Sequence, residues 1–376
     1  MRTNYGKSLR RFFANFKPLT LIDLGPGIFD SATVDTNILI VQNAKTKTHN
    51  LNALTLKSKS QITAIPSEDW SIMSDLSENS WIILKPEEQA IKDKMEKLGK
   101  PLKNWGLNIN RGILTGYNPA FIIDGRTKDQ LIAQDPKSAE IIKPILRGRD
   151  TKRYKAEFAD LWIISTFPAL HIDIDKYPAV KKYLEQFLPK IKQTGETFTN
   201  KAGQKEKTRK LTGNKWFETQ DQIGYYKEFE KEKIIYPNMT KYFPFIYDNN
   251  KFYTNQKCYI ATGSNLKYIV ALLNSKTLHY YIRQNLPELQ GGTRELSKVF
   301  FQNVPIVKYS NTMVFDNLVD QILAKKESGE DTTAEEQQID LMVYKLYELT
   351  YDEVKIVDPE TPLNKEEYER FELNKQ

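Results

Sequence analysis

The chain has 376 residues, 40% of them hydrophobic, which is enough to bury a sizeable core and to form two or three domains. Its apolar stretches are much shorter than the roughly 20 residues of a membrane span, and no signal peptide is visible, so we expect a cytoplasmic protein. The net charge of +7 hides an asymmetry: residues 311–376 contain 17 Asp or Glu and 7 Lys or Arg, which leaves +17 on residues 1–310 and indicates a polyanionic partner there.

The cysteine and histidine content argues against disulfide and zinc sites. The single cysteine, Cys258, excludes an internal disulfide, and His49, His171 and His279 are too scattered for a structural zinc site. Cys258 lies in "QKCYI", a predicted strand, where we expect a buried thiol that acts as a small hydrophobe. We predict no metal site in this chain.

The first third of the chain predicts short helices and strands. "SLRRFFANF" is typical of a helix, "LTLIDL" and "NILIVQNA" of strands on either side of a Gly-Pro-Gly loop, and "SWIIL" of another strand. A charged helix is predicted from about Pro86 to Leu98, and "PLKNWGLNINRG" alternates as an edge strand does. "GILTGYNPAFIID", residues 112–124, indicates a turn rich in hydrogen-bonding groups that leads into an apolar strand.

The segment "LIDLGPG" (Leu21 to Gly27) supports an alternative function, because a strand followed by a glycine loop resembles the S-adenosylmethionine site of many methyltransferases. Such a loop needs a helix immediately after it and an acidic residue at the end of the next strand. The following residues, "IFDSATVDTNILIVQ", have no helical period, so we interpret the loop as a structural turn between two strands. A self-contained S-adenosylmethionine-dependent methyltransferase remains the alternative hypothesis.

No segment predicts a catalytic centre. An adenine methyltransferase needs an Asx-Pro-Pro-aromatic loop to hold the flipped base, and the sequence does not contain one. Paired carboxylates followed by a lysine, as in a metal nuclease, are also not found, and "EFEKEK" is interpreted as a solvated charge run. We therefore assign no catalytic residue.

In the middle of the chain, "DPKSAEIIKPILRGRD" predicts a short helix with Asp135 as its N-cap, Pro136 at its first position and Gly148 just past its end. Strands at "DLWIISTF" and "EKIIYPNM" lie on either side of "TNKAGQKEKTRKLTGNKW". The lysine content of this segment predicts an exposed, mobile loop.

Toward the C-terminus, "SNLKYIVALLNSKTLHYYIRQN" predicts helix, and "LQGGTRELSKVFFQNVPIV" predicts a glycine turn, a short helix and a final strand. "FDNLVDQILAKK" and "TAEEQQIDLMVYKLYEL" predict a helical hairpin, whose second helix has a capping box at Thr333 and Glu336. The fold class is therefore mixed α+β with a C-terminal helical hairpin. The predicted buried stripe of the second helix consists of Ile339, Met342, Val343 and Leu346.

Basic residues interleaved with amides and aromatic rings are candidates for nucleic-acid contact. Lys or Arg side chains at a helix end can neutralise DNA phosphates, or they can satisfy the helix's own C-terminal carbonyls. The lysine-rich loop is either a flexible DNA clamp or a surface insertion. Amide and hydroxyl groups after a strand can read base edges, and backbone amides after glycines can hold a phosphate. The candidates are Arg147, Arg149, Lys152, Arg153 and Tyr154 at the helix end; Lys201, Lys205, Lys207, Arg209 and Lys210 in the loop; Asn238, Thr240, Lys241 and Tyr242 in "YPNMTKYFPF"; and Gly291, Gly292, Thr293 and Arg294 in "QGGTREL".

Several of these motifs together resemble a known family. "WIIL", "KMEKLGKPLKNW", "GILTGYNPAFIID", "DPKSAEIIKPILRGRDTKRY", "IIYPNMTKYFPF", "ALLNSKTLHYYIR" and "GGTRELSKVFFQNVPIV" are similar, in this order, to the C-terminal target recognition region of TaqI-type adenine-specific DNA methyltransferases, including type IIG restriction-modification enzymes. The resemblance covers about residues 80–310. The first 48 residues resemble the last strands of the family's methyltransferase domain.

The resemblance implies binding of double-stranded DNA and sequence specificity for a methyltransferase or restriction enzyme. It also implies that Thr115, Tyr117 and Asn118 in the glycine-rich turn face the DNA backbone. The cofactor loop and the catalytic motif lie upstream in the family. We therefore expect this chain to be non-catalytic alone, either a fragment or a separate recognition subunit, with S-adenosylmethionine bound only in the complete enzyme. An RNA-binding module is a weaker alternative.

The expected domains are a methyltransferase-like remnant at 1–48, a DNA recognition domain at 49–310 and an acidic helical region at 311–376.

Overall fold

The computed structural model describes residues 6–25, 27–29, 36–46, 48, 50–56, 65, 70–74, 76, 78, 81–289 and 292–373. It confirms a mixed α+β fold. The helices are α1 (Lys7–Ala14), α2 (Pro86–Leu98), α3 (Asn118–Phe121), α4 (Gly125–Gln134), α5 (Pro178–Glu185), α6 (Leu266–Leu273), α7 (Lys276–Asn285), α8 (Lys298–Phe301), α9 (Met313–Ser328), α10 (Thr333–Leu346), α11 (Tyr351–Val357) and α12 (Lys365–Arg370).

The strands run through the chain as follows. They are β1 (Lys17–Gly25), β2 (Thr36–Gln42), β3 (Leu51–Thr55), β4 (Ser71–Met73), β5 (Gly99–Pro101), β6 (Asn108–Arg111), β7 (Ile122–Asp124), β8 (Ile142–Leu146), β9 (Thr151–Lys152), β10 (Lys155–Ala156), β11 (Leu161–Ile164), β12 (Thr197–Thr199), β13 (Lys205–Lys207), β14 (Lys233–Pro237), β15 (Met239–Thr240), β16 (Ile246–Asp248), β17 (Tyr253–Thr254), β18 (Cys258–Thr262), β19 (Glu288–Leu289), β20 (Thr293–Glu295) and β21 (Pro305–Val307).

The N-terminal sheet has the strand order β2-β1-β3-β4. Strand β1 is antiparallel to β2 and parallel to β3. Phe13 of α1 packs with Leu21 and Leu51 on one face of this sheet. Because β3 and β4 pair beyond residue 48, the sheet continues past the expected end of the N-terminal unit.

Two further sheets form the centre of the molecule, one in the order β16-β14-β18-β6 and the other in the order β17-β8-β11-β7. A core that includes Ile145, Ile163, Ile235 and Ile260 lies between them. Helices α3 to α5 cover the outer face of the second sheet, and α2, α6, α7, α9 and α10 cover the outer face of the first. Strand β14 is buried along its whole length, as expected for a strand covered on both faces.

The C-terminal helices share the core of the central part of the chain. Phe315 of α9 and Ile339 of α10 belong to the same buried cluster as Met95 of α2 and Tyr236 of β14. The predicted helical hairpin and its buried stripe are confirmed. Residues 311–357 are therefore packed as part of the central body.

The structure corrects the predicted helix at 135–147. Asp135 does cap a turn, but the turn is a short 3₁₀ segment at Pro136–Glu140, and the next residues form β8. Pro144 has no N–H and would break an α-helix interior, whereas in β8 it lies opposite Trp162 of β11. Pairing with neighbouring strands decides the structure of this isoleucine-rich segment.

Four other predictions are corrected. Trp81–Leu84 form no strand, and Trp81 packs against the N-terminal sheet. The lysine-rich segment contains a hairpin of β12 and β13. The segment 264–285 is divided into α6 and α7, and residues 293–295 form β20, so no helix directly follows the glycines.

The predicted capping box at Thr333 and Glu336 is also wrong, because α10 has Thr332 as its N-cap and that side chain accepts no hydrogen bond from the first turn. The hydroxyl of Thr332 donates to the carboxylate of Glu336 (2.6 Å), and Thr333 is the first residue of α10.

Candidate nucleic-acid interface

A groove of about 470 Å³ opens where the ends of the two central sheets meet. Four segments that are far apart in sequence contribute to it: the start of α3, the turn after β8, the junction of β14 and β15, and the turn between β17 and β18. Polar and basic side chains predominate in its lining. The lining residues are Asn118, Arg147, Gly148, Arg149, Asn238, Met239, Asn255, Gln256 and Lys257.

Backbone hydrogen bonds hold these segments together. The turn at 255–257 is central, because the amide of Asn255 donates to the carbonyl of Leu146 (3.1 Å) and the amide of Gln256 donates to Ile113 (2.9 Å). The carbonyl of Lys257 accepts from the amide of Asn238 (2.7 Å). The groove is therefore held together by main-chain contacts.

Gly112, the first residue of the glycine-rich motif, allows this close approach. A Cβ atom at position 112 would lie 2.0 Å from the carbonyl oxygen of Asn255. The glycine is therefore required by the packing of two backbones, and a larger residue would push the 255–257 turn away.

The rest of that motif forms a tight turn. The hydroxyl of Thr115 donates to Oδ1 of Asn118 (2.7 Å) and accepts from the amide of Tyr117 (3.2 Å). Gly116 has φ +78°, which favours glycine. Thr115 is fully buried, whereas Asn118 is exposed and lines the groove.

The basic turn contains two different arginines. The guanidinium of Arg147 donates twice to the carboxylate of Asp150 (2.9 and 2.8 Å), which also accepts from the backbone amide of Arg147 (2.8 Å). This pairing raises the pKa of Arg147. Arg149 is exposed and has no ion pair in the part of the chain that the structure describes. The charge of Arg149 is thus not paired with a described carboxylate, whereas that of Arg147 is paired with Asp150.

The "YPNM" segment places Asn238 at the groove and projects the following residues outward. The backbone of Asn238 is fixed on both sides, by Lys257 and by the amide of Leu296 (2.7 Å). The hydroxyl of Thr240 accepts from the amide of Tyr242 (3.0 Å). Lys241 is exposed, and Tyr242 is 81% exposed.

Comparison with known proteins identifies the segment that carries most of the groove. Residues 143–306 match the TaqI-like C-terminal specificity domain. This segment resembles a TaqI-like specificity domain. Every residue of the groove except Asn118 lies inside the matched segment.

The chain is also distantly similar to whole enzymes. It is 20% identical over 235 residues to the type II methyltransferase M.XhoI of Xanthomonas vasicola, a match that covers 61% of this chain and 39% of that protein. It is 20% identical over 277 residues to the type II methyltransferase M.PaeR7I of Pseudomonas aeruginosa, with 73% and 44% covered. The matches thus span less than half the length of these curated relatives.

Among solved structures, the type IIL restriction-modification enzyme MmeI in complex with DNA matches with a TM-score of 0.49 and 13% identity. The match covers 94% of this chain and 45% of that chain.

Arg209, which lies in the matched segment, is an internal structural residue, and this corrects its assignment as a DNA contact. Its guanidinium donates to the carbonyls of Ile191, Thr115, Glu218 and Trp216 at 2.6–2.8 Å. Arg209 is 4% exposed, and burial lowers its pKa to about 10. It cannot reach a phosphate in this structure.

Three further candidates do not face the groove. Tyr154 is 1% exposed and packs in the core, and Arg153 lies 3.0 Å from the carboxylate of Glu336 on α10. Arg294 is 8% exposed, donates to the carbonyl of Arg283 (2.7 Å) and pairs with Glu288 (2.9 Å). Burial also excludes Thr115 from the DNA-facing set, because its hydroxyl is used within the turn.

The remaining candidates lie on the surface outside the groove lining. Lys205, Lys207 and Lys210 are exposed on or beside the hairpin of β12 and β13, and Lys201 is exposed in its turn. Lys152 is exposed and lies 3.5 Å from Glu157. Tyr117 is partly buried against Phe187. Gly292 is exposed with φ +77°, Thr293 belongs to β20, and Gly291 lies outside the described residues.

Asn255, Gln256 and Lys257 of the matched segment were missed by the sequence analysis. The sequence feature that could have identified them is the polar run "TNQK" between two buried strands, β17 and β18. Such a run predicts a surface turn, and only the pairing of Ile113 with Asn255 shows that this turn lies beside the glycine-rich motif.

The glycine loop, the cysteine and the histidines are placed as follows. Strand β1 ends at Gly25 and the next described strand, β2, is antiparallel to it, which agrees with a turn between strands. Cys258 is fully buried, and burial raises the pKa of its thiol. His49 lies outside the described residues. Within the described ranges there is no group of three or more His, Cys, Asp or Glu that could hold a metal, and no helix long and apolar enough to cross a membrane.

Proposed function

We propose that this chain binds double-stranded DNA through the groove and supplies sequence specificity to an adenine-specific DNA methyltransferase or restriction-modification enzyme. The observation that carries the proposal is the convergence of Arg147, Arg149, Asn238 and Lys257 in one groove. Arginine and lysine neutralise phosphates, and carboxamides read base edges, so the groove combines both functions of a DNA interface.

The charge of the chain supports the same proposal. Residues 1–310 carry a net charge of +17, which favours a polyanion and makes its binding sensitive to salt. Exposed Lys205, Lys207 and Lys210, on or beside the hairpin of β12 and β13, add positive charge to the surface outside the groove. We assign phosphate contacts to these lysines, to Lys152 and Lys257, and to Arg147 and Arg149. We assign base contacts to Asn238, with Lys241 and Tyr242 beside it.

The acidic C-terminal region has a different role in this proposal. Its charge repels phosphate, whereas α9 and α10 bury apolar stripes in the common core. We infer that residues 311–376 support the fold of the recognition part, and that the N-terminal unit ends after β4, since β3 and β4 continue its sheet. Catalysis is assigned to a methyltransferase domain or a partner chain.

Titration of labelled duplex DNA with the purified chain tests this function. Neutralisation of about six phosphates would lower the affinity by roughly three decades between 50 and 200 mM salt. Single-stranded DNA and duplex RNA of the same sequence serve as controls, and both should bind more weakly. Stronger binding of the RNA would favour the RNA-binding alternative.

Calorimetric titration with S-adenosylmethionine separates the alternative function. The proposal predicts no binding by this chain alone, because the next described strand after β1 is the antiparallel strand β2. Micromolar binding together with methyl transfer would instead support a self-contained methyltransferase.

A further inference from the structure

Four carboxamide side chains line the groove, and the oxygen atoms of two of them already accept hydrogen bonds within the protein. Oδ1 of Asn118 accepts from the hydroxyl of Thr115 (2.7 Å), and Oδ1 of Asn255 accepts from the amide of Lys257 (3.1 Å). Asn255 is 6% exposed. The oxygens of these two side chains stabilise the turns that form the groove.

The other two carboxamides, of Asn238 and Gln256, make no side-chain hydrogen bond to a described residue. Oδ1 of Asn238 and Oε1 of Gln256 are shielded from solvent and accept no hydrogen bond from any described residue. Their nitrogens also donate no hydrogen bond within the described ranges. The backbones of both residues are nevertheless fixed, through Lys257 and Leu296 for Asn238 and through Ile113 for Gln256.

A shielded acceptor without a partner costs free energy, and rotation of the carboxamide toward a ligand would recover it. No hydrogen bond opposes this rotation for Asn238 or Gln256, in contrast to Asn118 and Asn255. A carboxamide offers an acceptor oxygen and a donor nitrogen side by side. The matching ligand must therefore present one donor next to one acceptor.

We propose that Asn238 and Gln256 read adenines that remain paired in the duplex, through the N6 amino group and N7 in the major groove. Of the four bases, adenine presents this donor and acceptor together on its major-groove edge, and Asn or Gln pairs with it in a bidentate manner. The inference rests on DNA binding by the groove and adds the identity of the base. It concerns bases left in the stack, not a base that is extruded for methylation.

Affinity selection from a library of randomised duplexes tests the inference. The wild-type chain should enrich A·T pairs at one or two fixed positions. Asn238→Asp and Gln256→Glu keep the shape of the side chain but replace the donor nitrogen with an acceptor, so each should lose one adenine preference and gain cytosine, whose N4 amino group donates. A purely structural role would not exchange adenine for cytosine.

Base analogues and a matched control complete the test. Replacing the selected adenine with 7-deazaadenine removes one of the two hydrogen bonds and should weaken wild-type binding about 2- to 12-fold. The acidic variant of the residue that reads this position should be nearly unaffected. Gln338→Ala, an exposed carboxamide on acidic α10, should keep the wild-type preference.

Retention of the adenine preference in both acidic variants would overturn the inference, as would a wild-type selection without any adenine position. Both results leave DNA binding intact, so they are distinct from failure of the proposed function, in which the wild-type chain would select no duplex at all. Thermal melting of each variant beside the wild-type chain confirms that the binding measurements compare folded proteins.

Discussion

Replacing Arg149 should remove one phosphate contact without disturbing the fold. Arg149 is exposed and has no ion pair in the described part of the chain, so Arg149→Ala should change the free energy of unfolding by no more than about 0.5 kcal/mol. Each phosphate contact contributes about 0.9 to the slope of log affinity against log salt. The affinity deficit of the variant should therefore shrink about 3.5-fold between 50 and 200 mM salt.

Arg147 is the internal comparison for this prediction. Asp150 is 5% exposed and accepts two hydrogen bonds from the Arg147 guanidinium. Arg147→Ala removes both and leaves a buried carboxylate, which should lower the free energy of unfolding by about 3 kcal/mol. We expect both variants to weaken binding about equally on cognate and scrambled duplexes and to flatten the salt slope by about one unit.

The assay is fluorescence anisotropy on both duplexes at several salt concentrations, with thermal melts of each protein. Unchanged affinity and an unchanged salt slope for Arg149→Ala would refute the assignment of the basic turn to phosphate. Loss of cognate binding alone would show instead that the turn reads bases.

Arg209→Ala should lower the free energy of unfolding, measured by urea denaturation, by at least about 3 kcal/mol. Arg209→Lys should be destabilised as well, because one ammonium group cannot replace the forked guanidinium, whereas the neighbouring Lys210→Ala should be nearly neutral. Ile339→Ala should cost about 2–5 kcal/mol yet leave the DNA affinity of the folded protein unchanged, and selective loss of that affinity would contradict the assigned role of α10. Burial lowers the pKa of His279 to about 3. Between about pH 6.5 and pH 3 the unfolded chain therefore binds a proton at this histidine that the folded chain does not. The free energy of unfolding should fall by about 1.4 kcal/mol for each pH unit of acidification in this range because of this group. His279→Gln should flatten that slope at pH 4–6.5, where burial of Asp340, whose pKa is raised to about 6, acts in the opposite direction; an unaltered slope would disprove the assignment.

Elements with strong local signals could be predicted from the sequence. Helix α2 spans Pro86–Leu98, as predicted, and α10 buries its predicted stripe. Strand β8 could not be predicted in this way, because Ile142–Leu146 takes its structure from pairing with β11 and β17. Its local sequence contains an N-cap signal and apolar residues at helical spacing, and tertiary pairing overrides both.

The site was predictable in part for a related reason. Arg147 and Asn238 were recognisable as candidates by residue type and position, and both line the groove. Gln256 lies more than 100 residues from Arg147, and only the folding of the sheets brings the two together. Arg209 resembled its lysine neighbours in sequence, but its partners are carbonyls at distant positions, which no local pattern reveals.

The most direct test of the central claim compares two double variants with equal net charge. Arg149→Ala/Lys257→Ala removes two charges from the groove, and Lys355→Ala/Lys365→Ala removes two from the acidic C-terminal region. In anisotropy titrations of a cognate duplex from 50 to 200 mM salt, the groove variant should lose affinity and about two units of salt slope, while the C-terminal variant should bind like the wild type. Equal behaviour of the two variants would contradict DNA binding through this groove.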